Sequence, residues 1–274
     1  LKETFTITKA GTYVLTEDVT VTPVAAATCL INITASDVIL DLGGHTLRQG
    51  GSYDGVDGIL LATELQNVTI KNGAILVTTD KGISAGIDTY NLVLENLFIG
   101  ATQGDGVSLI GTNDDPIQNS FFKNVNITNF DGNSTADTIG LKMDYCYFCT
   151  FENCQFNIGD NETENSDVHG VFAQNSRGCN FINCDMSGNY GDTLCSGVYL
   201  TSCNAFTFKN CTANYNSANH ESASEAYGFF MTTSHSCLFE NCTAAYNTSV
   251  ANVRGFRVKN CNNTRFVDCI AQGN

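Results

Sequence analysis

Apolar residues in the second half of the chain fall on one recurring frame. A glycine is followed at +1 and +3 by apolar residues, at +11 by phenylalanine, and then by Asn-Cys or Asp-Cys. Gly140, Gly170, Gly197, Gly228 and Gly255 lead to Phe151, Phe181, Phe208, Phe239 and Phe266, and these to Asn153-Cys154, Asn183-Cys184, Asn210-Cys211, Asn241-Cys242 and Asp268-Cys269. The pairs after the glycine are Leu141/Met143, Val171/Ala173, Val198/Leu200, Phe229/Met231 and Phe256/Val258. Their period of two belongs to a strand with one inward face. A second strand ends on the phenylalanine. The next inward positions are the cysteine and an apolar residue two further on (Phe156, Met186, Ala213, Ala244, Ala271), so the alternation breaks at the Asn. Asn tolerates the left-handed conformation of a tight bend, which predicts a corner there.

Three short strands and one Asn corner, repeated every 27–31 residues, describe the coil of a parallel β-helix. Equal positions then stack at about 4.8 Å and form columns of like side chains. The earlier chain fits with substitutions: Ile70-Asn72, Leu94-Asn96 and Phe122-Asn124 take the Phe-x-Asn slots, Ile75, Ile99 and Ile127 follow, and Gly58, Gly86 and Gly106 are placed at the head of their strands. Residues 1–50 are strand-like but less regular and read as an N-terminal cap with the first coils, with regular coils over 51–274. No C-terminal cap is evident after Ala271, so further chain or a partner is expected to cover that end.

The chain has 274 residues, enough for one sizeable β-rich domain. With 13 basic and 28 acidic residues the formal charge is −15, which repels nucleic acid and anionic membrane surfaces. No apolar run approaches the roughly 18 residues of a membrane span. Of the 13 cysteines, eleven fall into three columns: the Asn/Asp-Cys set, Cys149/Cys179/Cys237 and Cys146/Cys203/Cys261. Buried thiols filling a narrow core account for them, and so many unpaired cysteines point to folding in a reducing cytosol. The four histidines form no cluster with metal-ligand spacing.

The Gly-led strand, the Asn column and the opening Ser36-Asp37-Val38-Ile39-Leu40-Asp41-Leu42-Gly43-Gly44-His45-Thr46-Leu47 resemble right-handed parallel β-helix proteins of the pectin-lyase-like superfamily. The resemblance covers essentially the whole chain. It implies an all-β, single-domain right-handed solenoid of about ten coils, and a secreted or surface location; it is weak for activity, since the fold hosts lyases, hydrolases, epimerases, tailspikes and adhesins. It also implies that a substrate lies along the outer face of the Gly-led sheet. On the frame above, that stripe runs Leu60/Ala62, Asp88/Tyr90, Ser108/Ile110, Lys142/Asp144, Phe172/Gln174, Tyr199/Thr201, Phe230/Thr232 and Arg257/Lys259. Phe172, Tyr199 and Phe230 stand in an outward row, flanked by Lys142/Asp144 and by Arg257/Lys259. Such a row suits sugar rings, a covering connector or a second copy of the chain.

Catalytic motifs are sparse. The Asp-Asp, Gly-His-Gly and Arg-x-Lys signatures of polygalacturonase-like enzymes find only the echoes Asn113-Asp114-Asp115, His169-Gly170 and Arg257-Val258-Lys259, on coils too far apart for one site. Asp88, Asp144 and Lys142 are the acid–base candidates on the stripe. Length variation is confined to the connectors between Phe and the next Gly, where Asp160, Glu162, Glu164 and Asp167 are dense enough to suggest Ca²⁺, although the spacing matches no calcium motif and an acidic solvated rim explains them as well. Of the nine Asn-x-Ser/Thr sequons, Asn210 and Asn241 fall on the corner column and are expected to be inaccessible. The first expectation is therefore a non-catalytic surface or fibre protein that presents a glycan- or protein-binding face, and self-associates through the aromatic stripe or the open C-terminal end. The second is a polysaccharide lyase or glycoside hydrolase working on the same face.

Overall fold

A computed structural model describes residues 3–23, 28–51, 53–128, 137–157, 159–161, 166–219 and 224–274, with backbone alone at 101, 160 and 161. Every described element is a strand, and the chain winds as a right-handed parallel solenoid of about nine turns. Ten strands make the Gly-led sheet: Phe5–Ile7, Cys29–Ile33, Asp57–Leu61, Ile83–Ala85, Val107–Ile110, Thr138–Asp144, Asp167–Gln174, Leu194–Thr201, Glu225–Thr232 and Asn252–Lys259. A second sheet stacks the strands that end on the Phe slot, and short strands past the corner form the third face. The sequence frame holds coil by coil, with Phe151↔Phe181↔Phe208↔Phe239↔Phe266 in direct register.

The corner residues Asn72, Asn96, Asn124, Asn153, Asn183, Asn210, Asn241 and Asp268 all adopt φ between 50° and 56°, as the break in alternation predicts. Each Asn amide donates to the preceding corner side chain, for example Asn183 Nδ2 to Asn153 Oδ1 at 3.1 Å and Asn210 Nδ2 to Asn183 Oδ1 at 3.0 Å. This column faces solvent, so Asn210 and Asn241 are exposed, contrary to the expectation from the sequence. The reason is geometric: a corner turns its side chain outward while the flanking Phe and Cys turn in. A second Asn column lies inside the solenoid. Asn189, Asn216 and Asn247 are buried, and their amides run in series to Asn274 at 2.8–3.0 Å, satisfying one another inside the core.

Stacked rings fill the interior, with Phe151–Phe181 centroids at 4.5 Å and Phe181–Phe208 and Phe208–Phe239 at 4.9 Å. All thirteen cysteines are unbonded thiols, eleven of them buried. Their Sγ atoms point at backbone carbonyls, as Cys184 does to Phe151 O and Ile182 O at 3.4 Å.

The leading glycines are set by packing. A Cβ on Gly106 would lie 2.1 Å from Ile127 Cγ2 and 2.7 Å from Gly140 O; one on Gly82 would meet Ile99 Cγ2 at 2.3 Å. Gly82, not Gly86, therefore heads the fourth strand, and the register Ile59↔Ile83↔Val107 settles it.

Candidate functional site

Moving the frame from Gly86 to Gly82 rewrites the outer face of the Gly-led sheet. The residue before the glycine now reads Asp57, Lys81, Asp105, Ile139, His169, Ser196, Tyr227 and Arg254 along successive coils. The residue two after it reads Leu60, Ser84, Ser108, Lys142, Phe172, Tyr199, Phe230 and Arg257. Asp88 is thus removed from the stripe. It sits at a corner with φ 57°, its N–H bonded to Asp115 O, and takes no place on this face.

The polar half of the face forms a cleft of about 690 Å³, lined by Asp54, Asp80, Gln103, Asp105, Asp137 and Lys142 among others. Its charged groups interlock. Lys81 Nζ reaches Asp80 Oδ2 at 2.8 Å and Asp57 Oδ1 at 3.9 Å, and Lys142 Nζ lies 3.8 Å from Asp105 Oδ2. Asp57 and Asp105 are buried carboxyls on alternate coils. Burial is the main cause that pushes each up to about 6; Lys81 partly offsets it at Asp57, and Lys142 does so at Asp105, while the Asp80 charge adds to the rise in both. The neighbouring carboxylates outweigh burial at Lys81 and hold its ammonium above the usual lysine value. Lys81 is therefore a fixed positive charge at neutral pH and unsuited to act as a base.

These raised values set the stability profile. The unfolded carboxyls ionise near 3.8 and the folded ones near 6, so between those values the folded chain holds the extra protons. Stability is thus highest on the acid side of this window and falls as pH rises through about 6, by roughly 2–3 kcal/mol for each carboxyl. Urea unfolding is expected to show a lower midpoint at pH ~7.5 than at pH ~5. A midpoint that rises over this range would contradict the assignment.

The aromatic half continues the groove. Lys142, Phe172, Tyr199, Phe230 and Arg257 are in direct register, as the repeat predicts. Phe172 and Tyr199 meet edge to face at 5.4 Å, and Tyr199 stacks on Phe230 at 4.7 Å. Phe230 is only 7% exposed, so it supports Tyr199 more than it offers its own face. Arg257 lies over the Phe230 and Tyr227 rings at 4.8 and 4.9 Å, and its Nη1 donates to Glu225 Oε2 at 2.8 Å and to the Tyr227 hydroxyl. Lys259 is exposed at the last strand. Beneath the rings His169 is buried, Nδ1 2.8 Å from Ser196 Oγ, and burial pushes it down to about 3. It is a neutral core imidazole.

Asp144 is occupied structurally: Gln174 Nε2 donates to Oδ2 at 2.8 Å and Asn175 Nδ2 to Oδ1 at 3.1 Å. Of the calcium candidates, Glu162 and Glu164 lie outside the described residues and Asp160 is described by backbone only. Asp167 accepts the Leu194 N–H at 3.1 Å and is raised to about 6 by burial and the Asp137 charge. Among the described residues no group of three or more His, Cys, Asp or Glu side chains is placed to hold a metal ion. Nor is any described helix long and apolar enough to cross a membrane.

The chain is a right-handed parallel β-helix with a groove on its outer face. Residues 152–274 match the family described as the right handed beta helix region. Among solved structures the chain is similar to the A-module of mannuronan C-5 epimerase AlgE4 from Azotobacter vinelandii, at 13% identity and a TM-score of 0.54 over 96% of this chain and 87% of that one. It is also similar to the enzymatically active domain of bacteriophage CBA120 tailspike protein 2, at 12% identity and TM-score 0.56 over 93% of this chain, where it spans 38% of that domain. Pectate lyase Pel9A matches at 11% identity and TM-score 0.51, over 89% of this chain and 68% of the lyase. At these identities the likeness is one of fold. No curated protein matches the sequence.

Proposed function

We propose that the chain is a glycoside hydrolase-type enzyme that takes a polysaccharide along the outer face of the Gly-led sheet. The observation that carries this reading is the buried carboxyl of Asp105, pushed up to about 6 in a cleft that is also lined by Asp80 from the adjacent coil. One strand spacing, about 4.8 Å, separates the two coils. Carboxyls roughly 5–9.5 Å apart are the working pair of glycosidases. Asp105, protonated over a useful range near neutral pH, donates to the leaving glycosidic oxygen. Asp80, ion-paired to Lys81 at 2.8 Å, serves as the carboxylate that attacks the anomeric carbon or activates water. Asp57 accepts the Lys81 N–H at 3.1 Å and anchors that lysine. Phe172 and Tyr199 give the neighbouring sugar units an apolar floor.

The pairing of both lysines speaks for hydrolysis over elimination, because a lyase needs a neutral base and a cation left over for the uronate. A mannuronan epimerase, a pectate lyase and an enzymatically active tailspike domain on the same architecture lend the reading its class.

The test is a glycan panel read both for binding and for new reducing ends. Phe172→Ala with Tyr199→Ala is expected to raise KM about 10-fold or more with a smaller change in kcat, as lost stacking at ~1 kcal/mol per ring would give. Binding without product across the panel would replace this reading with a glycan-presenting surface protein, which the aromatic row alone would serve. New unsaturated ends would replace it with a lyase.

A further inference from the structure

We propose that the groove takes a glycan bearing free amino groups, a polymer of de-N-acetylated amino sugars, in preference to an acidic one. This rests on the reading of the outer face as a glycan site and adds the sign of the ligand's charge. The lining of the cleft carries four carboxyls, Asp54, Asp80, Asp105 and Asp137, against one lysine, Lys142. Neither nearby cation is spare: Lys142 is committed to Asp105 at 3.8 Å, and Lys81 to Asp80 at 2.8 Å and to Asp57 at 3.9 Å. A uronate or sulfate entering here would meet carboxylates with no cation to neutralise it, on a chain that already carries a formal charge of −15. Asp54 and Asp137 are exposed at the rim and make no ion pair among the described residues.

The aromatic half points the same way by separate physics. A π face is negative and attracts cations, and this one already seats a guanidinium, with Arg257 4.8 Å from the Phe230 centroid. The next ring toward the cleft, Tyr199, stacks on Phe230, and Phe172 follows it in the same column. A sugar lying on Tyr199 and Phe172 has its apolar face on the rings. The following units run past Lys142 into the carboxylates, so an ammonium on them finds Asp137, Asp80 and Asp54.

Three hexasaccharides decide the matter by calorimetry on the intact protein at about pH 6, close to the raised carboxyl values: glucosamine, N-acetylglucosamine and galacturonate. The glucosamine hexamer is expected to bind at least about 10-fold tighter than the acetylated one. That margin should shrink in about 0.5 M NaCl, where screening acts within a few Å. It should also shrink in Asp54→Asn with Asp137→Asn, a pair of rim substitutions whose folded state can be checked by unchanged thermal unfolding. Equal or tighter binding of the acetylated or galacturonate hexamer overturns the charge inference and leaves the glycan groove standing. No binding of any of the three overturns the inference as well; only a blank result across the wider panel would take the groove itself with it.

Discussion

Asp105→Asn is expected to lower turnover about 10²–10⁴-fold and, at pH ~7.5, to make the folded chain more stable. The two effects share one cause. Asp105 is 6% exposed, and placing its charge there costs enough to push the carboxyl up to about 6. The amide keeps the shape, carries no charge to desolvate and has no acidic proton to give. Lys142, the partner that loses its carboxylate, is half-exposed and can turn to water. A gain of roughly 1–3 kcal/mol at pH ~7.5 should therefore fade as pH falls from about 6 toward 3.8 and vanish below it, where both native and unfolded carboxyls are protonated. Turnover on whichever glycan the panel identifies, set beside urea unfolding at the two pH values, checks both arms. Unchanged turnover would remove Asp105 from the chemistry. A destabilised variant with a flat pH profile would show that the carboxylate is a structural ion-pair partner.

Phe208→Ala is expected to cost about 3–5 kcal/mol, whereas Phe266→Ala should cost no more than about 1–2. Phe208 is fully buried in the middle of the ring column, 4.9 Å from both Phe181 and Phe239 and 5.7 Å from Phe229. Truncation removes the ring's transfer energy and its stacking, and leaves a void between two coils locked by strand pairing on both sides. Phe266 belongs to the same column but is 41% exposed, and it stacks on a single ring of that column, Phe239 at 4.9 Å. In a solenoid each coil touches only its neighbours, so a weak middle coil can also split unfolding into two steps. Denaturant curves followed by far-UV CD and by tyrosine fluorescence would reveal both the shift and any separation of probes. Equal penalties at the two positions would mean that ring stacking contributes little here.

How far the sequence could be read is clear from particular positions. The last five coils were legible because they repeat with a constant eleven residues from Gly to Phe. The fourth coil was not. Gly82 and Gly86 both offer a leading glycine, and only stacking, which leaves no room for a Cβ at Gly82 between Ile99 Cγ2 and the Gly106 carbonyl, chooses between them. That four-residue choice hid the most informative line of the face. With Gly82 in place, Gly58, Gly82 and Gly106 recur every 24 residues, and the residues before them are Asp57, Lys81 and Asp105. A charge preceding three successive leading glycines was the available signal. The other stripe candidates are structural: Asp88 belongs to a corner, and Asp144 is hydrogen-bonded to Gln174 and Asn175. The register of Lys142 with the aromatic row follows from the constant Gly-to-Phe spacing of those coils.

The sequence by itself determined the coil: inward residues in a parallel solenoid stack on copies of themselves, so each column must satisfy its own packing and hydrogen bonding, and selection writes it as a repeat. The Phe, Cys and corner-Asn columns are legible for that reason. The cleft emerges only when the coils stack, because outward residues need not match their copies above and below. Asp57, Lys81 and Asp105 share the position before the leading glycine but are not like residues, Asp80 and Lys142 lie at other positions, and their meeting depends on which glycine starts each turn. The burial that pushes Asp57 and Asp105 up to about 6 likewise exists only once neighbouring coils close around them.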